Sequence, residues 1–211
     1  MCIRDRIEVS NDRYFRTSEL LCCLTDTPRT NLNYYYPKIS RPYRYVRFTP
    51  PPPAYPTADC RAEIAELAFF DSVDSEEHLP SKAIYGGGPV DENPAHDIDK
   101  ACDDDWLTFY YSSGPRDSIV LDLQRASTIK KVLFVPRNDD NFITPGNVYE
   151  LFYQSGVKGW ISLGVQTATT NELVYRNIPE GALLWLRNLT RGKEEQVFYV
   201  ENGEQKFVGY E

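Results

Sequence analysis

The stretch CRAEIAELAFF, residues 60–70, decides what kind of molecule this is. Its Ala, Glu and Leu are good helix formers, and on propensity alone the segment is a helix. The text around it reads differently. From residue 118 onward SIVLDLQ, IKKVLFV, VYELFYQ, WISLGVQ, LVYRNI, ALLWLRNL and EQVFYV follow one another, separated by Gly, Pro, Asn or Thr. In SIVLDLQ, Ile119, Leu121 and Leu123 alternate onto one face, as a half-buried strand requires. Short strands at this spacing point to a sandwich or barrel. Within an all-β chain, 60–70 is the one segment left ambiguous.

Composition agrees with many turns and few long helices, since 12 Gly and 15 Pro stand among 211 residues. The net charge of −8 argues against binding through nucleic-acid phosphates, which relies on Lys and Arg displacing counterions. RPYRYVRF, residues 41–48, mixes Arg with Tyr, but a strand with alternating faces accounts for it. Five Cys, at 2, 22, 23, 60 and 102, form no C-x-x-C pair, so neither a zinc site nor a disulfide framework is indicated. The two His, at 78 and 96, read as loop residues. No apolar run reaches the roughly 18 residues of a membrane span. MCIRDR, residues 1–6, lacks the apolar core of a signal peptide and reads as a non-native leader, which places any export signal upstream.

The chain also repeats itself faintly. IEVSN at 7–11 resembles YELFY at 149–153, and PYRYVRF at 42–48 resembles ALLWLRN at 182–188. Glu8 to Arg47 and Glu150 to Arg187 are nearly equal separations. Residues 7–71 thus match the second half of a later domain. DSVDSEEHLPSKA between them is acidic and polar, which makes 72–80 a linker. GGG at 86–88 lacks the helix and Lys of a phosphate loop and reads as a flexible turn.

PRNDDNFITPGNVYELFYQSGVKGWISLG (136–164) followed by ALLWLRNLTRGKEEQVFYVENG (182–203) resembles the C-terminal modules of bacterial secreted proteins that carry a transglutaminase-like domain. Those modules are similar to discoidin, or coagulation-factor type C, domains, a galactose-binding-like jelly-roll β-sandwich common among carbohydrate-binding modules. The resemblance implies one complete sandwich over 81–211, preceded by the C-terminal half of another over 7–71. It also implies that AEIAELAFF is a closing strand, where tertiary pairing overrides propensity.

The resemblance further implies a calcium loop of pattern D-G-D-x-x-T completed by a Glu of the last strand. Asp103, Asp105 and Thr108 match it, and Glu195 stands at the Glu position. Asp104 replaces the Gly, where the backbone needs φ > 0. The loop is therefore either a structural Ca2+ site or a hydrated acidic turn. Glu66 is the corresponding acid of the first segment, with its own partner loop expected upstream.

Catalysis finds little support. A metal-holding D-x-D of a sugar-nucleotide transferase needs an α/β sheet, and G-x-S-x-G is missing. For binding, an Arg after this strand contacts the sugar in related modules, which makes Arg137 the first candidate. Arg offers a fixed fork of donors and Asn both donor and acceptor, so Asn138 and Asn141 follow, with Phe142. Tyr110 or Trp106 would stack on the ring. Against this, Asp139 and Asp140 can pair with Arg137 simply to order the loop. Trp160 and Trp185 read as packing residues, and Arg47 and Arg187 as braces of strand ends.

Together these readings predict a non-catalytic module that holds a secreted or surface enzyme near glycans or glycoproteins. Its partners would be a glycan and an upstream catalytic domain of the same chain, in an extracellular, periplasmic or cell-surface location. The alternative is a structural spacer that orients a neighbouring domain and has no ligand of its own.

Overall fold

The computed structural model describes residues 4–26, 28, 32–52 and 60–208, so the first three residues of the expected leader lie outside it. Among these residues the chain is all-β, with fifteen strands, three antiparallel sheets and three short 3-10 turns. Among the described residues no helix is long and apolar enough to cross a membrane. Two compact units divide it, Met1–Asp140 and Asn141–Glu211.

The first unit holds β1 (Asp5–Ser10), β2 (Glu19–Leu24), β3 (Asn33–Tyr35), β4 (Tyr43–Thr49) and β5 (Glu63–Phe70), then β6 (Lys82–Tyr85), β7 (Tyr110–Tyr111), β8 (Ile119–Ser127) and β9 (Lys131–Pro136). One sheet runs β2-β1-β4-β8-β6 and the other β3-β9-β5-β7. Ile7, Val9, Val46, Phe48 and Leu121 from the first sheet meet Ile64, Leu67, Phe69 and Phe134 from the second in one core. Phe48 and Phe134 stack across it with ring centroids 5.6 Å apart. This is a β-sandwich.

The ambiguous segment is β5. Hydrogen-bonded to β9 on one edge and β7 on the other, it is buried at every position after Glu63. Ile64, Leu67 and Phe69 join the main core, while Ala65, Ala68 and Phe70 join a second cluster with Leu133 and Val135. A strand covered on both faces shows no polar alternation, so its text looks helical. An irregularity between Ile64 and Glu66 lets Ile64 and Leu67 face the same core although they stand three apart.

Three sequence expectations need adjustment. The segment 72–80 joins two halves of one sandwich: Leu79 is in its core and donates its N–H to Phe69 O at 2.6 Å. Two of the three glycines of the GGG run are closely packed, whereas Gly88 stands in open space. A Cβ on Gly86 would lie 2.6 Å from Ile98 Cγ2, and one on Gly87 would lie 2.3 Å from Asp117 Oδ2. Cys60 is disulfide-bonded, which the uneven Cys spacing did not disclose, whereas Cys22, Cys23 and Cys102 are free thiols.

The second unit holds β10 (Val148–Gln154), β11 (Trp160–Thr167), β12 (Leu184–Asn188), β13 (Lys193–Glu194), β14 (Phe198–Glu201) and β15 (Glu204–Phe207), in one sheet ordered β11-β10-β12-β14-β15 with β13 also on β12. Its wholly buried apolar residues are Tyr149, Leu151, Ala168 and Leu184. Trp160 and Trp185 pack together on one sheet face, ring centroids 5.5 Å apart, with Phe152 against Trp185 at 5.5 Å. Trp160 nonetheless remains 37% exposed.

The repeat reappears as register. Glu8 is the cross-strand partner of Arg47 in β1–β4, and Glu150 is the cross-strand partner of Arg187 in β10–β12. In the first copy the pair is an ion pair at 2.9 Å, with the Arg47 guanidinium 4.5 Å over the Phe15 ring. In the second, Arg187 turns to Glu194 at 3.7 Å. The compact units, however, are not bounded where the repeat is. The expected split into 7–71 and 81–211 gives way to pairing across it: Val46 with Leu121 in β4–β8, and Leu67 with Phe134 in β5–β9. The open edges and apolar faces of the 7–71 strands are completed by the strands of 81–140.

Candidate functional site

Two groups of predicted residues lie in the first unit. The first is the Asp loop. A 3-10 turn, Ile98–Ala101, capped by the Asp97 side chain, delivers Asp103. Asp104 takes φ = +63°, the left-handed conformation expected where the family pattern has Gly. Its N–H donates to Glu66 Oε2 at 3.0 Å and its carboxylate meets His78 Nε2 at 2.9 Å. The Thr108 hydroxyl lies 3.0 Å from both Asp103 oxygens and donates to that carboxylate. Lys100 Nζ sits 3.2 Å from Asp103 Oδ2. Asp105 turns aside, accepting the Leu107 N–H at 3.0 Å.

Glu66, only 2% exposed, is the acid that faces this loop. Burial pushes its carboxyl up to about 8, and the nearby charges of Asp104 and Asp103 push the same way. Glu195 belongs to the second unit, where its N–H donates to Leu186 O and its carboxylate pairs with Lys193 at 3.2 Å. Within the first unit the structure joins Asp103 to Thr108, turns Asp105 away, and sets Glu66 against the loop, while Glu195 belongs to the other unit. Calcium needs six to eight convergent oxygens. Among the described residues no three His, Cys, Asp or Glu side chains converge in that manner, and Asp103 already faces an ammonium. The donor set does not fit the ion.

The second group surrounds Arg137, the first residue after β9, whose N–H donates to Glu63 O at 3.1 Å. Its Nε donates to Asp139 at 2.8 Å and Nη1 lies 3.6 Å from Glu63, an arrangement that holds the guanidinium charged. The guanidinium carbon sits 4.6 Å from the Phe109 ring centre and 5.7 Å from that of Tyr111. Beyond Phe109, His96 stacks at 4.4 Å and bonds Asp91 at 2.8 Å. Beyond Tyr111, Arg61 lies 5.9 Å from the ring and donates to Ser113 O. Arg61, Tyr111, Arg137 and Phe109 form a row in which guanidinium groups alternate with rings, His96 stacks on Phe109 at its end, and Arg137 is one-third exposed.

Tyr110 is not on that surface. It is wholly buried, its hydroxyl donates to Gly87 O at 3.1 Å, and burial pushes that hydroxyl up. Strand alternation turns Tyr111 outward instead. Asn138 is 5% exposed and holds the loop together, donating to Trp106 O at 2.9 Å and accepting the Asp140 N–H at 2.8 Å. Asp139 and Asp140 both have positive φ, which Asp tolerates better than most side chains. Asn141 and Phe142 open the second unit. The sequence reading missed Arg61, Tyr111, Phe109 and His96; the period-two alternation through Phe109, Tyr110 and Tyr111 was the available signal.

An open groove of about 490 Å³ is lined by other residues, among them Asp12, Glu19, Arg41 and Tyr43. Its charges are satisfied internally, by Arg16 on Asp12 at 2.7 Å and Arg41 on Glu19 at 2.8 Å. No family model, curated protein or solved structure matches the chain.

Proposed function

We propose that the first unit is a non-catalytic binding module for glycans or glycoproteins, an accessory part of a larger exported bacterial enzyme of the transglutaminase-like kind. The observation that carries this reading is the Arg137 row. A partly exposed guanidinium, fixed by Asp139 and Glu63, stands among the Phe109 and Tyr111 rings. Planar donors beside aromatic carbon are the chemistry that hydroxyl-rich, partly apolar sugar rings recognise. The Cys60 disulfide supports an extracellular, periplasmic or surface location, because disulfides persist in oxidising compartments.

The test is a glycan array with the whole chain, in calcium and in chelator. The expected result is retention of at least one glycan class, weakened about tenfold or more by Arg137→Ala with unfolding temperature unchanged, the loss of one well-placed charged hydrogen bond. Retention of no glycan in either condition overturns the reading. The spacer reading draws on a specific feature too: Phe109 has the Arg137 cation on one side and His96 stacked on it, leaving little free ring face. A spacer retains nothing on the array.

A further inference from the structure

The sheet of the second unit has two unlike faces. Residues directly opposite in an antiparallel pair point the same way. Tyr149 pairs with Asn188, Leu151 with Leu186 and Tyr153 with Leu184, and this side holds the buried Tyr149, Leu151, Leu184 and Asn188. The other side sets Phe152 opposite Trp185 and Gln154 opposite Trp160, beside Glu150 and Arg187. Three aromatic rings in mutual contact therefore stand away from those buried residues, with Trp160 exposed. None of the three belongs to a buried core cluster.

The matched register shows what is particular to this copy. Ser10 and Tyr45 hold the places of Phe152 and Trp185 in β1–β4, and there the Glu8–Arg47 ion pair closes the face. In the second copy Glu150 accepts from the Ser162 hydroxyl at 2.7 Å instead, and the Arg187 guanidinium lies 5.3 Å over the Trp185 ring. The nearest carboxylate to Arg187 is Glu194 at 3.7 Å, beyond hydrogen-bond reach. Among the described residues, a guanidinium that donates no hydrogen bond thus stands against an indole, on one face with a carboxylate and the exposed Gln154 amide.

We infer that this face is a second binding surface, whose ligand is a neutral, hydroxyl-rich polysaccharide. The rings offer apolar area to the C–H face of a sugar, while Arg187, Glu150 and Gln154 supply donors and acceptors for its hydroxyls. An apolar protein surface would strip water from those three side chains and return no hydrogen bonds. The face carries charges of both signs, so an acidic polymer gains no advantage over a neutral one. This surface belongs to the second unit and does not depend on what the Arg137 row binds.

The experiment is affinity electrophoresis of the whole chain in native gels containing galactomannan, xyloglucan, mixed-linkage β-glucan or polygalacturonate. Every sample carries Arg137→Ala, so that the row of the first unit does not contribute. At least one neutral polymer is expected to retard this chain. Adding Trp160→Ala is expected to weaken the retardation about tenfold or more, as loss of a binding-site Trp does. Adding Arg187→Met, which keeps the apolar stem, is expected to weaken it about threefold or more. Unfolding temperatures are expected to stay unchanged; should Trp160→Ala unfold, Arg187→Met alone decides. The inference is overturned if no neutral polymer retards the Arg137→Ala chain, if polygalacturonate alone does, or if the added substitutions leave the retardation as it was. A dimer that Trp160→Ala dissociates, seen by light scattering, overturns it too, because a second copy then covers the face.

Discussion

Glu66 is a carboxyl group in surroundings that disfavour its charge. Its ordinary value of 4.5 is raised to about 8, so folding takes up a proton between those limits. Its contribution to stability is fully present below about 4.5 and is lost as pH rises through about 8. Replacing it by Gln, which keeps the shape and cannot ionise, should stabilise the chain above pH 8 by on the order of 1–3 kcal/mol and leave it nearly unchanged near pH 4. Urea unfolding at the two pH values measures this, and equal effects at both would refute it. The sequence made Asp104 legible as the misfit in the loop, since a position demanding φ > 0 is recognisable from its pattern. Glu66 as the facing acid was not legible. It stands 38 residues before Asp104, in a segment whose neighbours the repeat alone assigned elsewhere.

At the scale of elements, legibility followed wetness. β8 and β10 keep polar residues on one side, so their alternation survives in the text. β5 has no wet side, and its Ala, Leu and Phe carry no phase. Its burial also makes it sensitive to truncation. Leu67, fully buried against the main core, should cost about 2–4 kcal/mol when replaced by Ala, through lost transfer energy and the cavity left behind. Denaturant unfolding checks this; a loss below about 1 kcal/mol would mean that the site collapses freely around the smaller side chain. The same alternation argument locates Tyr110 inside and Tyr111 outside. Register through a two-residue strand is set by its partners Ile64 and Glu63, which no local reading supplies.

For the molecule as a whole, similarity and compactness divide the chain differently. The repeat was legible because Glu and Arg recur at matching separations, and both pairs are true cross-strand neighbours. What the repeat could not show is which strands its first copy would recruit, because an unpaired edge accepts any strand of suitable pattern. A chain lacking residues 4–71 would leave β8 without β4 and β9 without β5. It should lose cooperative unfolding and bind a hydrophobic dye, whereas the full chain should not. A sharp two-state transition for 81–211 alone would show that those strands find equivalent partners downstream.

The matched register of Glu8–Arg47 and Glu150–Arg187 carries a consequence for anyone who cuts this protein. Repeat and sandwich are out of phase, like words printed across a line break. Pieces excised by resemblance would sever the first sandwich, whereas a cut at Asp140 would follow the boundary of compactness. The stretch that recurs in the sequence and the unit that packs are therefore different lengths of chain. A single substitution in one copy is not a control for its counterpart in the other.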